Sequence, residues 1–162
     1  MSVKGLERLD VLRKAQDFAV SIYREVLPLL PDEEKWGLTM QLRRAVQSVP
    51  ANIAEGYGRY YFQENVRFCH IARGSMEETI SHLSLAHQLG FLPDDLFKRL
   101  THESDELNRL INGYIAYLKR SKQGADEPGS NLTLAEESAD YLTLDPENQE
   151  NPSAEDTYPE NN

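Results

Sequence analysis

The residue types that most often carry catalysis or bind metals are sparse in this chain of 162 residues. It has four histidines, and none follows a glutamate by three residues, the spacing that di-iron helical bundles use. No His or Cys pair has zinc-ligand spacing, and no glycine-rich loop ends in Lys-Ser or Lys-Thr. The single cysteine, Cys69, falls on an apolar stripe, which predicts a buried and unreactive thiol. The sequence therefore predicts a protein that is not an enzyme and uses no metal or cofactor.

Arginines and aromatic residues near the middle of the chain offer a different chemistry. Arginine forms phosphate contacts, and aromatic rings stack on nucleic-acid bases. A solvated helix face beside an aromatic turn packed in an interface fits the same residues, so both interpretations stay open. The candidate nucleic-acid-binding arginines are Arg43, Arg44, Arg59 and Arg67, and the rings are Tyr57, Tyr60, Tyr61 and Phe62.

The elements that must position these side chains are helices. Apolar residues recur at alternating spacings of three and four, whereas no stretch alternates at period two, so we expect no sheet. Proline and acidic residues mark helix starts, and glycine marks helix ends. Helices are predicted from Asp10, as a cap, to Pro28 and Pro31; from Pro31 to the break at residues 56–58; from that break to Gly90; and from Pro93 to Lys122.

Pro50 lies inside the second predicted helix, where proline costs about 3 kcal/mol or more. Either this helix ends near Gln47 or it continues with a kink. We favour continuation because the apolar pattern keeps its phase across Pro50. The side chains of Ser48 and Asn52 are then expected to satisfy the freed carbonyls.

A second group of residues indicates structural or interface roles. Gly74 lies inside the third predicted helix, where it is tolerable if another backbone approaches closely. Arg73 falls on the apolar stripe of that helix and needs a partner, for which Glu55 of the same chain or of a neighbour is the candidate. We expect such roles, rather than direct ligand contact, for Ser48, Pro50, Asn52, Glu55, Gly56, Tyr57, Arg73 and Gly74.

Charge divides the chain into two parts. Residues 1–124 hold all 17 Lys and Arg and have a net charge of +1, whereas residues 125–162 hold eleven acids and no base. The composition predicts a helical-bundle domain over 1–124 and a disordered acidic tail over 125–162. The overall charge of −10 therefore belongs to the tail and does not exclude nucleic-acid binding.

The tail also leads to a testable expectation. Its tethered acids compete for any basic surface at high effective concentration. Removing residues 125–162 should then raise nucleic-acid affinity at low salt, measured by fluorescence anisotropy. Unchanged affinity would contradict this role for the tail.

Three segments carry a family resemblance: residues 41–45 (QLRRA), 48–56 (SVPANIAEG) and 72–78 (ARGSMEE). They resemble the four-helix-bundle family of bacterial intervening-sequence proteins, which are encoded within insertions in large-subunit ribosomal RNA genes. That family is similar to the accessory variability proteins of diversity-generating retroelements. The resemblance covers roughly residues 9–122. It implies a non-enzymatic homopentameric barrel, which in the retroelement branch binds a reverse transcriptase and nucleic acid through basic surface.

The expected fold is thus all-α, an antiparallel up-down four-helix bundle assembled as a homopentamer, with a disordered acidic C-terminal tail. The expected function is a nucleic-acid-binding accessory in a ribonucleoprotein, and the alternative is a protein-interaction scaffold without nucleic acid. Expected partners are the protein itself, RNA or DNA, and a reverse transcriptase. The apolar runs are too short to span a membrane, the start lacks a secretory signal, and the single cysteine fits the cytoplasm.

Overall fold

The computed structural model describes residues 3–6 and 9–122, and this part of the chain is helical without strands. The predicted tail, 125–162, lies outside the described residues. Four long helices form the predicted four-helix bundle, and a single helical turn precedes them. The α-helices are α1 Val3–Leu6, α2 Asp10–Ser21, α3 Leu38–Tyr57, α4 Phe62–Gln88 and α5 Asp94–Ser121.

The bundle has up-down topology. Each long helix packs on the next one in the chain, α5 returns to α2, and α3 and α4 share the most extensive interface. Because the connections are short, neighbouring helices run antiparallel. Hydrogen bonds between helices follow this order, for example from Ser75 of α4 to Ser48 of α3 and from Asn65 of α4 to Tyr114 of α5.

Apolar side chains from all four long helices fill one core. Their spacing of three and four residues places one stripe of each helix inward, as the sequence predicts. The largest side chains of this core without solvent access include Ile22, Leu42, Ile53, Met76, Leu83, Leu100 and Ile111.

The first predicted helix departs from the prediction at both ends. Asp10 is the first helical residue rather than a cap, and its carboxylate bonds Arg13 at 2.8 Å. After Ser21 the chain continues as a π-helical turn, Ile22–Val26, and a 3-10 turn, Leu27–Leu29. The wider π turn and the tighter 3-10 turn change the helical phase of the side chains. Leu29, which continues the spacing of three and four residues of this helix, is consequently 46% exposed.

The second predicted helix begins at Leu38 rather than at Pro31. Residues Asp32–Glu34 form only a 3-10 turn, and Gly37 interrupts the helix with φ −98° and ψ −115°. The carboxylate of Glu34 accepts a hydrogen bond from the backbone N–H of Leu38 at 2.9 Å. The acidic segment therefore caps α3 from outside instead of forming its first turn.

Helix α3 continues through Pro50, which confirms the predicted continuation and excludes a helix end near Gln47. The side-chain amide of Asn52 donates to the carbonyl of Ser48 at 2.7 Å. Since the proline removes the donor to the carbonyl four residues earlier, at Val46, this bond supports the helix beside the defect rather than at the freed carbonyl itself.

The later helix limits agree closely with the predictions. Helix α4 ends in a Schellman motif, in which Gly90 has φ +79° and Phe91 donates its N–H to the carbonyl of Ala86 at 2.9 Å. Helix α5 begins after Pro93 and has Lys119 and Arg120 in its last turn. These basic residues complement the negative end of the helix dipole.

Candidate nucleic-acid interface

The α3–α4 hairpin positions most of the residues singled out in the sequence. Its two helices approach closely at Gly56, where an added Cβ would lie 2.8 Å from the Asn65 Oδ1 atom and 2.8 Å from the Phe68 Cβ atom. Gly56 is buried inside α3, and the helix ends one residue later, with Gly58 as its C-cap. The absence of a side chain at Gly56 therefore fixes the distance between the helices next to the connecting turn.

A chain of small polar side chains joins α3 to α4 farther along the hairpin. The Ser48 hydroxyl oxygen accepts from the Asn52 amide at 2.9 Å and from the Ser75 hydroxyl at 2.8 Å. On α4, Thr79 donates to the Ser75 carbonyl at 2.8 Å. Each of these hydroxyls or amides has a partner, so the network stabilises the interface between the helices.

At the turn end of the hairpin, aromatic rings form a groove of about 460 Å³, which we call the aromatic groove. Rings from the α3 end, the turn and the start of α4 meet two tyrosines from the last turns of α5. A groove of this volume lies within the range of small-molecule sites. Its lining residues are Leu9, Tyr57, Arg59, Tyr60, Phe62, Asn65, Tyr114, Tyr117, Leu118 and Ser121.

The inner part of the groove is polar. Asn65 is buried, and its side-chain amide donates to the Tyr114 hydroxyl at 3.0 Å. The side-chain oxygen of Asn65, Oδ1, lies 3.7 Å from the Cys69 sulfur. Burial raises the pKa of the Tyr114 hydroxyl, against the opposing effect of the hydrogen bond from Asn65. Tyr114 therefore stays protonated at neutral pH and keeps its own O–H available as a donor.

Arg59 is the candidate arginine that lines the groove. Its guanidinium forms an ion pair of 2.6 Å with Glu55 and lies 4.9 Å from the centre of the Phe68 ring. The carboxylate and the ring orient the guanidinium plane, while an arginine has five N–H donors in total. Arg59 is thus held in place with donors left for a further acceptor.

The other three candidate arginines do not line the groove. Arg67 is exposed on α4 near the turn. Arg43 and Arg44 lie toward the start of α3, about 18 Å before Gly56 from the helical rise of about 1.5 Å per residue. Arg43 is oriented by the Tyr23 ring, 5.3 Å away. The structure therefore separates the four arginines into a pair near the α3–α4 turn and a pair toward the start of α3.

The proposed partnership of Glu55 with Arg73 does not form within the chain, because Glu55 pairs with Arg59 instead. Arg73 is half-buried on α4 and has no ion pair among the described residues. Gly74 is exposed, and a Cβ built there meets nothing within 4 Å. The close backbone approach expected at Gly74 therefore does not form among the described residues.

Sequence reasoning missed Asn65, Tyr114 and Tyr117 as neighbours of the central aromatic cluster. The apolar spacing assigns Tyr114 to the core pattern of its helix, and only packing of α5 on α4 brings it to Asn65. The buried stripe of α4 also includes Ser75 and Thr79, and the Thr79 hydroxyl donates to the Ser75 carbonyl one turn earlier. The helical spacing of these two residues from the apolar residues of α4 could have indicated that they lie on its buried face.

Within residues 3–6 and 9–122, no group of three or more His, Cys, Asp and Glu side chains is arranged to hold a metal ion. None of the helices in these ranges combines the length and hydrophobicity that a transmembrane span requires.

The fold and the groove define the class, a four-helix-bundle protein whose hairpin end presents an arginine among aromatic rings. The chain belongs to the family of 23S rRNA-intervening sequence proteins, whose sequence pattern matches residues 7–113. This match confirms the resemblance to intervening-sequence proteins found in the sequence.

A solved structure supports the same assignment. The chain is similar to the crystal structure of a protein of unknown function from the S23 ribosomal protein family of Bacteroides thetaiotaomicron. The TM-score is 0.59 with 25% sequence identity, over 65% of this chain and 97% of the other. No curated protein matches the chain.

Proposed function

We propose that this protein is a non-enzymatic, self-associating helical bundle that binds nucleic acid as an accessory of a ribonucleoprotein. Arg43, Arg44, Arg59 and Arg67 would contact phosphates. The observation that supports this most is Arg59, an oriented guanidinium in the wall of an aromatic groove. The family is named for the intervening sequence of 23S rRNA, which makes RNA a reasonable nucleic-acid partner.

The second part of the proposal is assembly into a homopentamer. The exposed and open position of Gly74, beside half-buried Arg73, supports a surface on α4 that a second copy would cover. A ring would repeat each arginine pair several times and raise avidity for a long nucleic acid. Sedimentation equilibrium should give a mass near five times the 18.5 kDa of one chain, and a monomeric mass would reject this part.

Nucleic-acid binding is tested by the salt dependence of affinity. Arg44 and Arg67 are exposed and have no ion pair among the described residues, so they are the clearest phosphate-binding candidates to replace. In the variant Arg44→Gln/Arg67→Gln, the slope of log affinity against log salt should fall by about 1 for each arginine that binds a phosphate, with weaker binding at low salt. Titrations with labelled RNA and DNA at several salt concentrations measure both quantities.

The matched control is Arg24→Gln/Arg109→Gln, which removes the same charge from exposed positions outside the proposed interface. It should leave the slope nearly unchanged. An equal decrease in both variants would contradict the assignment of the arginines, and no affinity of the wild-type protein at low salt would reject nucleic-acid binding.

The second candidate function is a protein-interaction scaffold. It is supported by exposed apolar side chains on α4 and directly after it, where Ile71, Leu85 and Leu89 are each more than 40% exposed. Such side chains along one helix favour a protein partner. A partner that co-purifies after nuclease treatment and in high salt would favour the scaffold.

The biological setting has two versions, a ribosomal one and a retroelement accessory that works with a reverse transcriptase. The genes next to this one distinguish them. A reverse-transcriptase gene with paired template and variable repeats would favour the retroelement version, and a position inside a ribosomal RNA gene would favour the other.

A further inference from the structure

We propose that the aromatic groove binds an unstacked base of single-stranded nucleic acid, with Tyr117 as a stacking surface and Arg59 on the adjoining phosphate. This inference rests on the proposed function, because it names the site and the form of nucleic acid that the bundle would bind. It adds α5 to the interface, although the sequence placed the candidate residues on α3, α4 and their connection.

The first support is the exposure of aromatic surface at this end of the bundle. Tyr117 is 58% exposed, and its ring lies nearly parallel to that of Tyr114, with an interplanar angle of 14° and 6.4 Å between centroids. Exposed rings are sequence-tolerant stacking platforms, since every base has a π-face. Paired bases inside a duplex have both faces covered by their neighbours, so the groove favours a single strand.

The second support is the polar inner part of the groove. The Tyr114 hydroxyl accepts from the buried Asn65 amide and keeps its own O–H as a donor within a largely aromatic wall. A base edge carries acceptors for the Tyr114 O–H, whereas an aliphatic side chain offers this donor no partner. The chemistry of the groove therefore fits a base better than an aliphatic side chain.

The third support is positive charge at the rim. Arg59 lines the groove, and the α5 residues next to the lining residues Leu118 and Ser121 are basic: Lys119, Arg120 and Lys122. A strand whose base enters the groove would carry a phosphate past Arg59, which lies in the groove wall. Arginine and lysine beside stacking rings are the usual combination in single-strand binding sites.

The experiment compares three labelled oligonucleotides against the full-length protein at low salt: a single strand, its duplex, and a single strand of the same length with abasic sites. The abasic strand keeps the phosphates and removes the bases. We expect the normal single strand to bind about fivefold to hundredfold more tightly than the abasic one, the range for stacking of one base. The duplex should bind more weakly than the single strand.

Substitutions of Tyr117 test whether its ring produces the preference for strands with bases. Tyr117→Ala should lose the preference for bases, whereas Tyr117→Phe should keep it, because phenylalanine retains the ring. Trp36→Ala is the matched control, since Trp36 is 75% exposed in the α2–α3 connection, at the other end of the bundle. It should leave all three affinities unchanged. Circular dichroism verifies that each variant is folded.

Different results would overturn base binding in the aromatic groove and nucleic-acid binding by the bundle. Equal, salt-dependent binding of the normal and abasic strands would overturn base binding in the groove and leave phosphate binding by the bundle intact. Duplex binding as tight as that of the single strand would also overturn it. No binding of any oligonucleotide would reject both proposals and would favour a protein partner for the groove.

Discussion

Replacing Gly56 by alanine should destabilise the bundle by about 1–3 kcal/mol, the usual cost of overpacking a filled interface. The new methyl group would lie 2.8 Å from the Phe68 Cβ atom and 3.1 Å from the backbone carbonyl oxygen of Asn65. Both atoms are fixed to the α4 backbone, so α3 and α4 must move apart to accommodate it. Urea denaturation followed by circular dichroism measures the free energy of unfolding.

Gly74→Ala is the matched control, because it makes the same change in the neighbouring helix of the same hairpin. A Cβ at Gly74 meets nothing within 4 Å, and alanine is favoured over glycine in a helix by about 1 kcal/mol. At protein concentrations where the chain is monomeric, this variant should therefore unfold at higher urea concentration than the wild type. Similar destabilisation by both substitutions would contradict the close approach at Gly56.

The Gly74→Ala variant also tests whether a second copy of the chain binds at Gly74. If a second copy covers Gly74, the alanine variant should remain well folded but associate more weakly, and sedimentation measures the two effects separately. A variant that is more stable and equally associated would place the self-association surface elsewhere.

The sequence predicted the bundle because its helices have strong local signals. The start of α5 follows from Pro93 and the acids after it, and the end of α4 follows from Gly90, whose positive φ few other residues tolerate. The limits of α2 and α3 could not be predicted in the same way. A π turn has no apolar period of its own that a sequence would show. Acidic residues before Gly37 stabilise the start of a helix whether they lie in its first turn or just before it.

The candidate site was only partly predictable, for a different reason. Tyr57, Arg59 and Phe62 are neighbours in sequence, so their shared position at one turn was foreseeable. Asn65 and Tyr114 are 49 residues apart, and only the packing of α5 against α4 brings them together. Within the chain, Glu55 pairs with Arg59, one helical turn away, rather than with Arg73 across the helices, and a pairing with Arg73 of a neighbouring molecule stays a prediction.

Cys69 should be almost inert to alkylation in the folded protein. Its side chain has no solvent exposure, and burial raises the pKa of its thiol to about 11. The shift from an ordinary value of 9.0 alone lowers the thiolate population at pH 8 by about two orders of magnitude, and only the thiolate reacts. Labelling with iodoacetamide at pH 8, followed by mass spectrometry, should be at least about 100-fold slower than in urea.

Since Cys69 is the only cysteine, every label reports this position. The control is Cys69→Ala/Ser81→Cys, which places a thiol on the exposed side of the same helix. It should react at similar rates in the folded and unfolded states. Rapid labelling of native wild-type protein would contradict the burial of Cys69 in the core.

The raised pKa also gives stability a pH dependence with a definite sign. The unfolded chain loses the thiol proton near pH 9, whereas the folded chain keeps it until about pH 11. The thiol therefore contributes its full stabilisation below pH 9, and this contribution is lost as the pH rises from 9 toward 11. The informative quantity is the difference between wild type and Cys69→Ala, since every other ionisable group is the same in both. The wild-type free energy of unfolding should fall more steeply over that interval, because only the wild type has a buried thiol that must remain protonated.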